Sequence, residues 1–538
     1  MAKKNKKQKV FKRLLGASTL VSAMTFLSRL SGMARDVVFA NLFGASIVMD
    51  AFFVAFKIPN LLRRFFAEGA FATGFVPIIS EYKTNKSKLE TKELINSVTG
   101  TLATIVFIVS VIGSIASPFL ILIFAPGFAE TDGRQVLASD MLRITFPYLF
   151  FISLTSLAGG ILNTYNRFGV PAFTPLLLNT TLIFFSAFIA PSSSNPGIVL
   201  AVAVFVAGAI QLFFQIPFLF SLGLLPRPKW SWHNHGVKRI LKLMIPVMFG
   251  SSVAQINLLF DTLIASFLSA GTISWLYYSD RLVEFPLAIF GIAIATVILP
   301  FLSKKSAESS LEEFSLTLSW ALRLTIIVIA PAIAGLIILS KPLLITFFYR
   351  GAFSKIDVEM ASVSLIAYSL GLLFFILVKI FSTGYFSRQD TKTPVRIATI
   401  CVILNMVFNI FFVFLLLRFN YHAPHAGLAL ATSISSFINM LLLYRGLKSI
   451  KLIELPYNWK ILFLKIIIST IIMSLAVCGY SSYVGDWFLL SSFSSIINLL
   501  VCIFGGMFIY FLCCYILGIR KIDFLRRVSN HNLSNHNF

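Results

Sequence analysis

The stretch FFVAFKIPNLLRRFFAEGAFATGFVPIIS, residues 52–80, is apolar enough for a bilayer interior, yet it carries Lys57, Arg63, Arg64 and Glu68. Each Arg or Lys at the centre of a spanning helix costs about 2.5–3.5 kcal/mol on insertion scales, so charges kept there are either paired or used. Arginine suits one use well. Its planar fork makes bidentate, charge-assisted hydrogen bonds to phosphate, and it does not deprotonate. The chemistry these residues could do is therefore the binding of an anion, with a diphosphate as the natural counter-ion. Further charges lie in similar apolar runs: Arg29, Arg35 and Asp36, then Asp50, then Asp280, Arg281 and Glu284.

Helical spacing sorts these charges. Arg64 and Glu68 are four apart and share a face, which favours a structural pair. Arg63 is rotated by about 100° from Arg64 and has no acidic residue three or four positions away. Arg29 and Asp36, seven apart, share a face, whereas Arg35 has no such partner in its helix. Arg281 can pair with Glu284, three residues on, and Asp50 with Lys57, seven on. An arginine cluster used only to hold helices together by salt bridges is the competing reading, and pairing between helices stays open.

The elements that must position these residues follow from composition. The chain has 538 residues, of which 57% are hydrophobic and 12% charged, with mean hydropathy +0.88. A soluble globule carries nearer a quarter charged residues, so this is an all-α polytopic membrane protein. Fourteen apolar runs are long enough to cross as helices: 14–43, 48–80, 96–124, 138–164, 172–191, 196–222, 238–268, 273–302, 314–347, 359–385, 393–417, 425–447, 460–482 and 492–519. The first is read as retained, because it carries Arg29 and Arg35 and lacks a small-residue cleavage pattern. The five cysteines fall within spans without metal-ligand or redox spacing and read as small apolar residues.

A net charge of +24 could suggest nucleic acid. The distribution argues otherwise. Of 45 basic residues, 29 lie in the N- and C-terminal tails and alternate loops, and four in the opposite loops (Arg134, Arg350, Lys355 and Arg418). By the positive-inside rule both termini are cytoplasmic, as an even number of spans requires, and no nucleic-acid partner is expected.

Two internal matches point to duplication. GFVPIIS (74–80) is similar to TVILPFLS (296–303), and NTYNRFGVPAFTP (163–175) to STGYFSRQDTKTP (382–394). Both are offset by six spans, which preserves orientation and predicts two pseudo-symmetric six-helix lobes, 14–222 and 238–447, around a central cationic cavity. Two extra helices (460–519) remain, with a basic tail at 1–13 and a second tail at 520–538. Gly32, Pro59, Gly69 and Gly291 are candidate hinges, or else close-packing positions.

The run SAMTFLSRLSGMARDVVFANLFGASIVMDAFFVAFKIPNLLRRFFAEGAFATGFVPIISEYK (22–83) resembles the MurJ (MviN) family of lipid II flippases. So do FAPGFA (124–129), YYSDRLVEFPLAIFGIAIATVILP (277–300) and YFSRQDTKTPV (385–395). The resemblance implies the multidrug/oligosaccharidyl-lipid/polysaccharide exporter superfamily, with the two extra helices forming a groove for a polyprenyl tail. It implies a bacterial inner (plasma) membrane transporter that moves undecaprenyl-diphosphate-linked disaccharide-pentapeptide to the periplasmic leaflet. Its partners would be lipid II, membrane lipids and, as candidates, cell-wall synthesis proteins. Family motifs map onto Arg29 in LSR, Arg35 in ARD, Arg63 in LLRR, Arg281 in SDR and Asp50 in MDAFF; Arg35, Arg63 and Arg281 are expected to contact the diphosphate, with Arg29 in the same basic cluster and Asp50, Asp36 and Glu68 as further candidate substrate-site residues.

The alternatives are a flippase for another polyprenyl-diphosphate-linked oligosaccharide or a drug exporter on the same fold. A cationic-drug exporter would favour carboxylates and aromatics where basic residues dominate here. The loops are short and lack DxD, HExxH, P-loop or GxSxG signals, so no enzyme is expected. No organic cofactor is expected either. For energy coupling, Asp261, Asn405, Asn409 and Thr432 form a candidate monovalent cation site for sodium, since hard cations take oxygen ligands. The competing readings are a protonated or hydrogen-bonded Asp261, and coupling to protons or membrane potential.

Overall fold

In a bilayer every backbone polar group needs an internal partner, so apolar runs of this length become helices. The computed structural model describes residues 2–66, 70–130, 133–453 and 459–519, with side chains from residue 19 onward apart from 65–66, 70–73, 130 and 246–254. Nineteen α-helices and no strand occur among the described residues. They are α1 (Ala2–Phe43), α2 (Ile47–Phe66), α3 (Ala70–Asn85), α4 (Lys88–Ile115), α5 (Ser117–Phe124), α6 (Arg134–Thr145), α7 (Tyr148–Thr164), α8 (Gly169–Phe184), α9 (Pro196–Ser221) and α10 (His235–Ser266). Then follow α11 (Thr272–Pro286), α12 (Ala293–Ala307), α13 (Leu311–Ile338), α14 (Ser340–Phe348), α15 (Lys355–Phe386), α16 (Lys392–Arg418), α17 (Ala426–Ser449), α18 (Trp459–Val484) and α19 (Ser492–Ile516).

Eleven helical stretches among the described residues are long and apolar enough to cross a membrane. The other three expected spans, 14–43, 48–80 and 238–268, are helical as α1, α2 with α3, and α10. Charge density sets α2 apart. Helix α2 alone holds Asp50, Lys57, Arg63 and Arg64 in 20 residues. Local geometry follows proline: the span Thr272–Ala307 contains a π-helical turn, Leu287–Ile292, directly after Pro286. Proline supplies no N–H and crowds the preceding turn, and a widened turn absorbs both. Gly291 lies within it. The candidate hinge Gly69 falls outside the described residues, as does the tail 520–538.

The chain divides into two compact units, Met1–Ser274 and Trp275–Phe538. In the first, α1 packs on α8, α2 on α6, α4 on α7, and α9 on both α7 and α8. In the second, α13 and α12 pack on α15, α17 on both α15 and α16, and α18 on α19 and α13. Helix α10, which the sequence reading assigned to the second lobe, packs within the first unit against α3. The seam has a physical basis: Gly74 lacks the Cβ that would collide with Met244, and Glu81 pairs with Arg239 at 2.8 Å. Between α15 and α16, in the YFSRQDTKTPV motif, the Asp390 carboxylate accepts the Thr393 N–H at 3.0 Å. That bond holds it below the usual carboxylate range.

Glycine also sets the α15–α17 distance, since a Cβ on Gly371 would overlap Ser433 Oγ. Gly371→Ala is expected to destabilise the protein by about 1–3 kcal/mol through overpacking. Gly479→Ala, where a Cβ meets nothing within 4 Å, should leave stability unchanged or slightly raised. Thermal unfolding in detergent checks this, and equal midpoints for the two variants would contradict the packing account.

Candidate functional site

The charges of α1 separate into a tied pair and an open cation. Arg35 is buried, and its Nε and Nη2 donate to Asp36 Oδ1 at 3.0 and 2.7 Å. Its Nη1 donates to Asn179 Oδ1 on α8 at 3.1 Å, and Asn179 Nδ2 in turn donates to Ser31 Oγ (2.9 Å) and Ser28 O (3.1 Å). The guanidinium also lies 5.5 Å from the centre of the Phe39 ring. The expectation that Arg35 lacks a partner in its own helix is therefore corrected. Adjacent helical positions diverge, but the long arginine stem folds back, and burial against α8 leaves the two charges as each other's counter-ions. Arg29 is exposed, and it has no hydrogen bond or ion pair among the described residues.

Asp50 opens α2 almost fully buried. It accepts the N–H of Gly271 at 2.7 Å, the N–H of Ser274 at 2.9 Å and the Ser274 hydroxyl at 2.6 Å. The expected lock between Asp50 and Lys57 is thus replaced. Asp50 satisfies the unpaired donors of the first turn of α11, a role normally played by a residue of the capped helix itself. Lys57 Nζ instead donates to Thr262 Oγ1 at 2.5 Å.

About two turns further along α2, each of the two arginines donates to an amide oxygen. Arg63 Nε donates to Asn60 Oδ1 at 2.7 Å, and Arg64 Nη1 to Gln255 Oε1 on α10 at 3.1 Å. Glu68, the expected partner of Arg64, lies outside the described residues. In the second unit, Arg281 Nη1 pairs with Glu284 Oε2 at 2.9 Å, with side chains 31% and 49% exposed. A surface pair that open contributes at most about 1 kcal/mol.

The candidate cation ligands are split between units. Asn409 Nδ2 donates to Asn405 Oδ1 at 3.0 Å, and Asn405 Nδ2 to Ser435 Oγ (3.2 Å) and Thr432 Oγ1 (3.4 Å). This places three of the four residues in one buried network between α16 and α17. Asp261 is on α10, in the first unit. Among the described residues, no group of three or more His, Cys, Asp or Glu could hold a metal ion. Sequence reasoning missed Asn60, Asn179, Gln255, Thr262 and Ser274 as partners. Asn60 was visible at three residues from Arg63, whereas the rest meet their charged partners only once helices pair.

Comparison with known proteins places this arrangement. The family model described as lipid II flippase MurJ matches residues 39–498. The chain is 49% identical over 445 residues to a probable lipid II flippase MurJ from Vibrio cholerae, covering 81% of this chain and 83% of that one. A solved structure described as lipid II flippase MurJ in an inward closed conformation is 32% identical, with a TM-score of 0.77 over 94% of this chain and all of that one. An inward-facing multidrug resistance MATE family transporter of the MOP superfamily shares the fold at 13% identity, TM-score 0.64, over 80% of this chain and 98% of that one.

The buried pair on α1 has a stability signature. Asp36→Asn should strand the Arg35 guanidinium and destabilise the protein by about 3–5 kcal/mol, whereas Arg35→Met combined with Asp36→Leu should recover most of that loss. Unfolding midpoints in detergent measure both, and a double variant no more stable than the single one would overturn the pairing argument.

Proposed function

The chain belongs to the MurJ family of lipid II flippases, and on that ground we propose that it moves lipid II from the cytoplasmic to the periplasmic leaflet by alternating access. It is a transporter and not a catalyst. The observation that supports the reading is the set of arginines on α1, α2 and α11, all within apolar runs of the sequence. Arg29 is exposed, Arg63 Nε donates to the Asn60 amide oxygen, and Arg281 pairs with a half-exposed Glu284. These three would hold the diphosphate, with Asp50, Asp36 and Glu68 fixing the surrounding charges. Arg35 would join them only in a conformation that releases it from Asp36 and Asn179. The polyprenyl tail stays in lipid or against the last two helices while the headgroup crosses.

The layout belonging to this reading has fourteen spans in the inner membrane, both termini cytoplasmic, and two six-helix lobes followed by α18 and α19. Repeated packing supports the duplication. Counting spans, the third contacts the fourth as the ninth does the tenth, and the sixth contacts the fourth and fifth as the twelfth does the tenth and eleventh. The seventh, α10, breaks the pattern by packing on α3.

For coupling, sodium remains the proposed ion. Its candidate donors on α16 and α17 are neutral amide and hydroxyl oxygens, which suit a weakly held monovalent ion better than a divalent one. Binding would bias the second unit through its differential affinity for two states. In proteoliposomes, flipping that ignores a sodium gradient and persists in Asp261→Asn would remove the ion from the mechanism.

Labelled lipid II reconstituted with the purified protein tests the substrate assignment directly. Each charge-assisted hydrogen bond contributes about 1.5–3 kcal/mol, so Arg63→Ala and Arg281→Ala should slow flipping roughly 10- to 100-fold at limiting substrate. Lys at either position should restore only part of the rate, because it lacks the fork. Unimpaired flipping by both Ala variants would refute the site. Transport of another polyprenyl-diphosphate oligosaccharide in place of lipid II would refute the substrate.

A further inference from the structure

Between α9 and α10 the chain runs from Leu222 to Asn234 without helix, and it carries RPKWSWHNH (227–235). Trp230 and Trp232 stack there, with ring centroids 6.0 Å and planes 19° apart, and are nonetheless 55% and 43% exposed. Arg227, Lys229, His233 and His235 beside them are exposed too. Leaving two indoles in bulk water forfeits the gain of burying them, about 25 cal/mol per Å² of apolar surface.

The segment is held firmly. Arg227 N–H donates to Asn96 Oδ1 at 2.7 Å, and Lys229 N–H donates to the Asn96 carbonyl at 3.1 Å. The Lys229 backbone lies so close to Gly100 of α4 that a Cβ there would overlap it. Asn234 Oδ1 then caps α10 by accepting the Gly236 and Val237 N–H groups. The indole pair is thus presented in one orientation, just beyond the ends of two spanning helices. That is the headgroup level, where tryptophan is enriched because its ring is apolar and its N–H polar. Neighbouring cations add attraction to anionic headgroups.

We propose that Trp230 and Trp232, with Arg227 and Lys229, form a docking surface for the anionic lipid interface, clamping the α9–α10 connection and the adjoining end of α4. The surface is separate from the arginine site and does not depend on which lipid is transported.

Full-length protein in nanodiscs tests this. The emission difference between wild type and W230F/W232F reports these two of the six tryptophans, and W230F and W232F singly serve if the double variant does not accumulate. With phosphatidylglycerol brominated in its acyl chains, the difference emission should be blue-shifted and lose about half its intensity or more, as rings at the interface would. R227Q/K229Q should reduce that loss about twofold while leaving quenching by brominated phosphatidylcholine unchanged. Difference emission that is untouched by brominated lipid but quenched by aqueous iodide would overturn the proposal and point to a soluble partner. Equal quenching by the two brominated lipids, unaffected by R227Q/K229Q, would overturn its anionic specificity.

Discussion

A charge in hydrocarbon has to be solvated by something, and what solvates it decides what else it can bind. Lys57 is given a hydroxyl, and Arg63 and Arg64 are given amide oxygens. Such partners relieve the desolvation cost through hydrogen bonds without adding negative charge. Arg35 shows the other solution. Its carboxylate neighbour and Asn179 make it a strut of the α1–α8 seam rather than an open cation.

Asp50 extends the same logic to the backbone. A buried carboxylate in an apolar setting is expensive unless it collects several donors, and the first turn of a helix supplies donors with no partner of their own. Joining Asp50 to Gly271 and Ser274 resolves two deficits at once. It also ties the start of α2 to the turn in which the first unit ends. Together with the α3–α10 seam, this draws the chain as far as Ser274 into the first unit, beyond the boundary expected from the repeat alone.

Much of the helical framework was legible because spanning helices must satisfy their own backbone, which makes apolar length a direct record of structure. Interactions within one helix were partly legible. Arg281 and Glu284 were readable from spacing, whereas Arg35 and Asp36 were missed because adjacency on a helix suggests divergence, and only burial makes the stem curl back. Partners on other helices left no trace in spacing. Gln255, Thr262 and Asn179 meet their cations through helix pairings that a single sequence does not encode locally. The placement of α10 belongs to the same class, since Gly74 reads as an ordinary small residue until Met244 is seen against it.

The amide partners of the α2 arginines carry a chemical corollary. Arginine keeps its proton under all physiological conditions, and asparagine and glutamine have no proton to gain or lose. The Asn60 and Gln255 acceptors of these two hydrogen bonds consequently hold no titrating proton. A shift in pH on either side of the membrane leaves these two amide acceptors as they are.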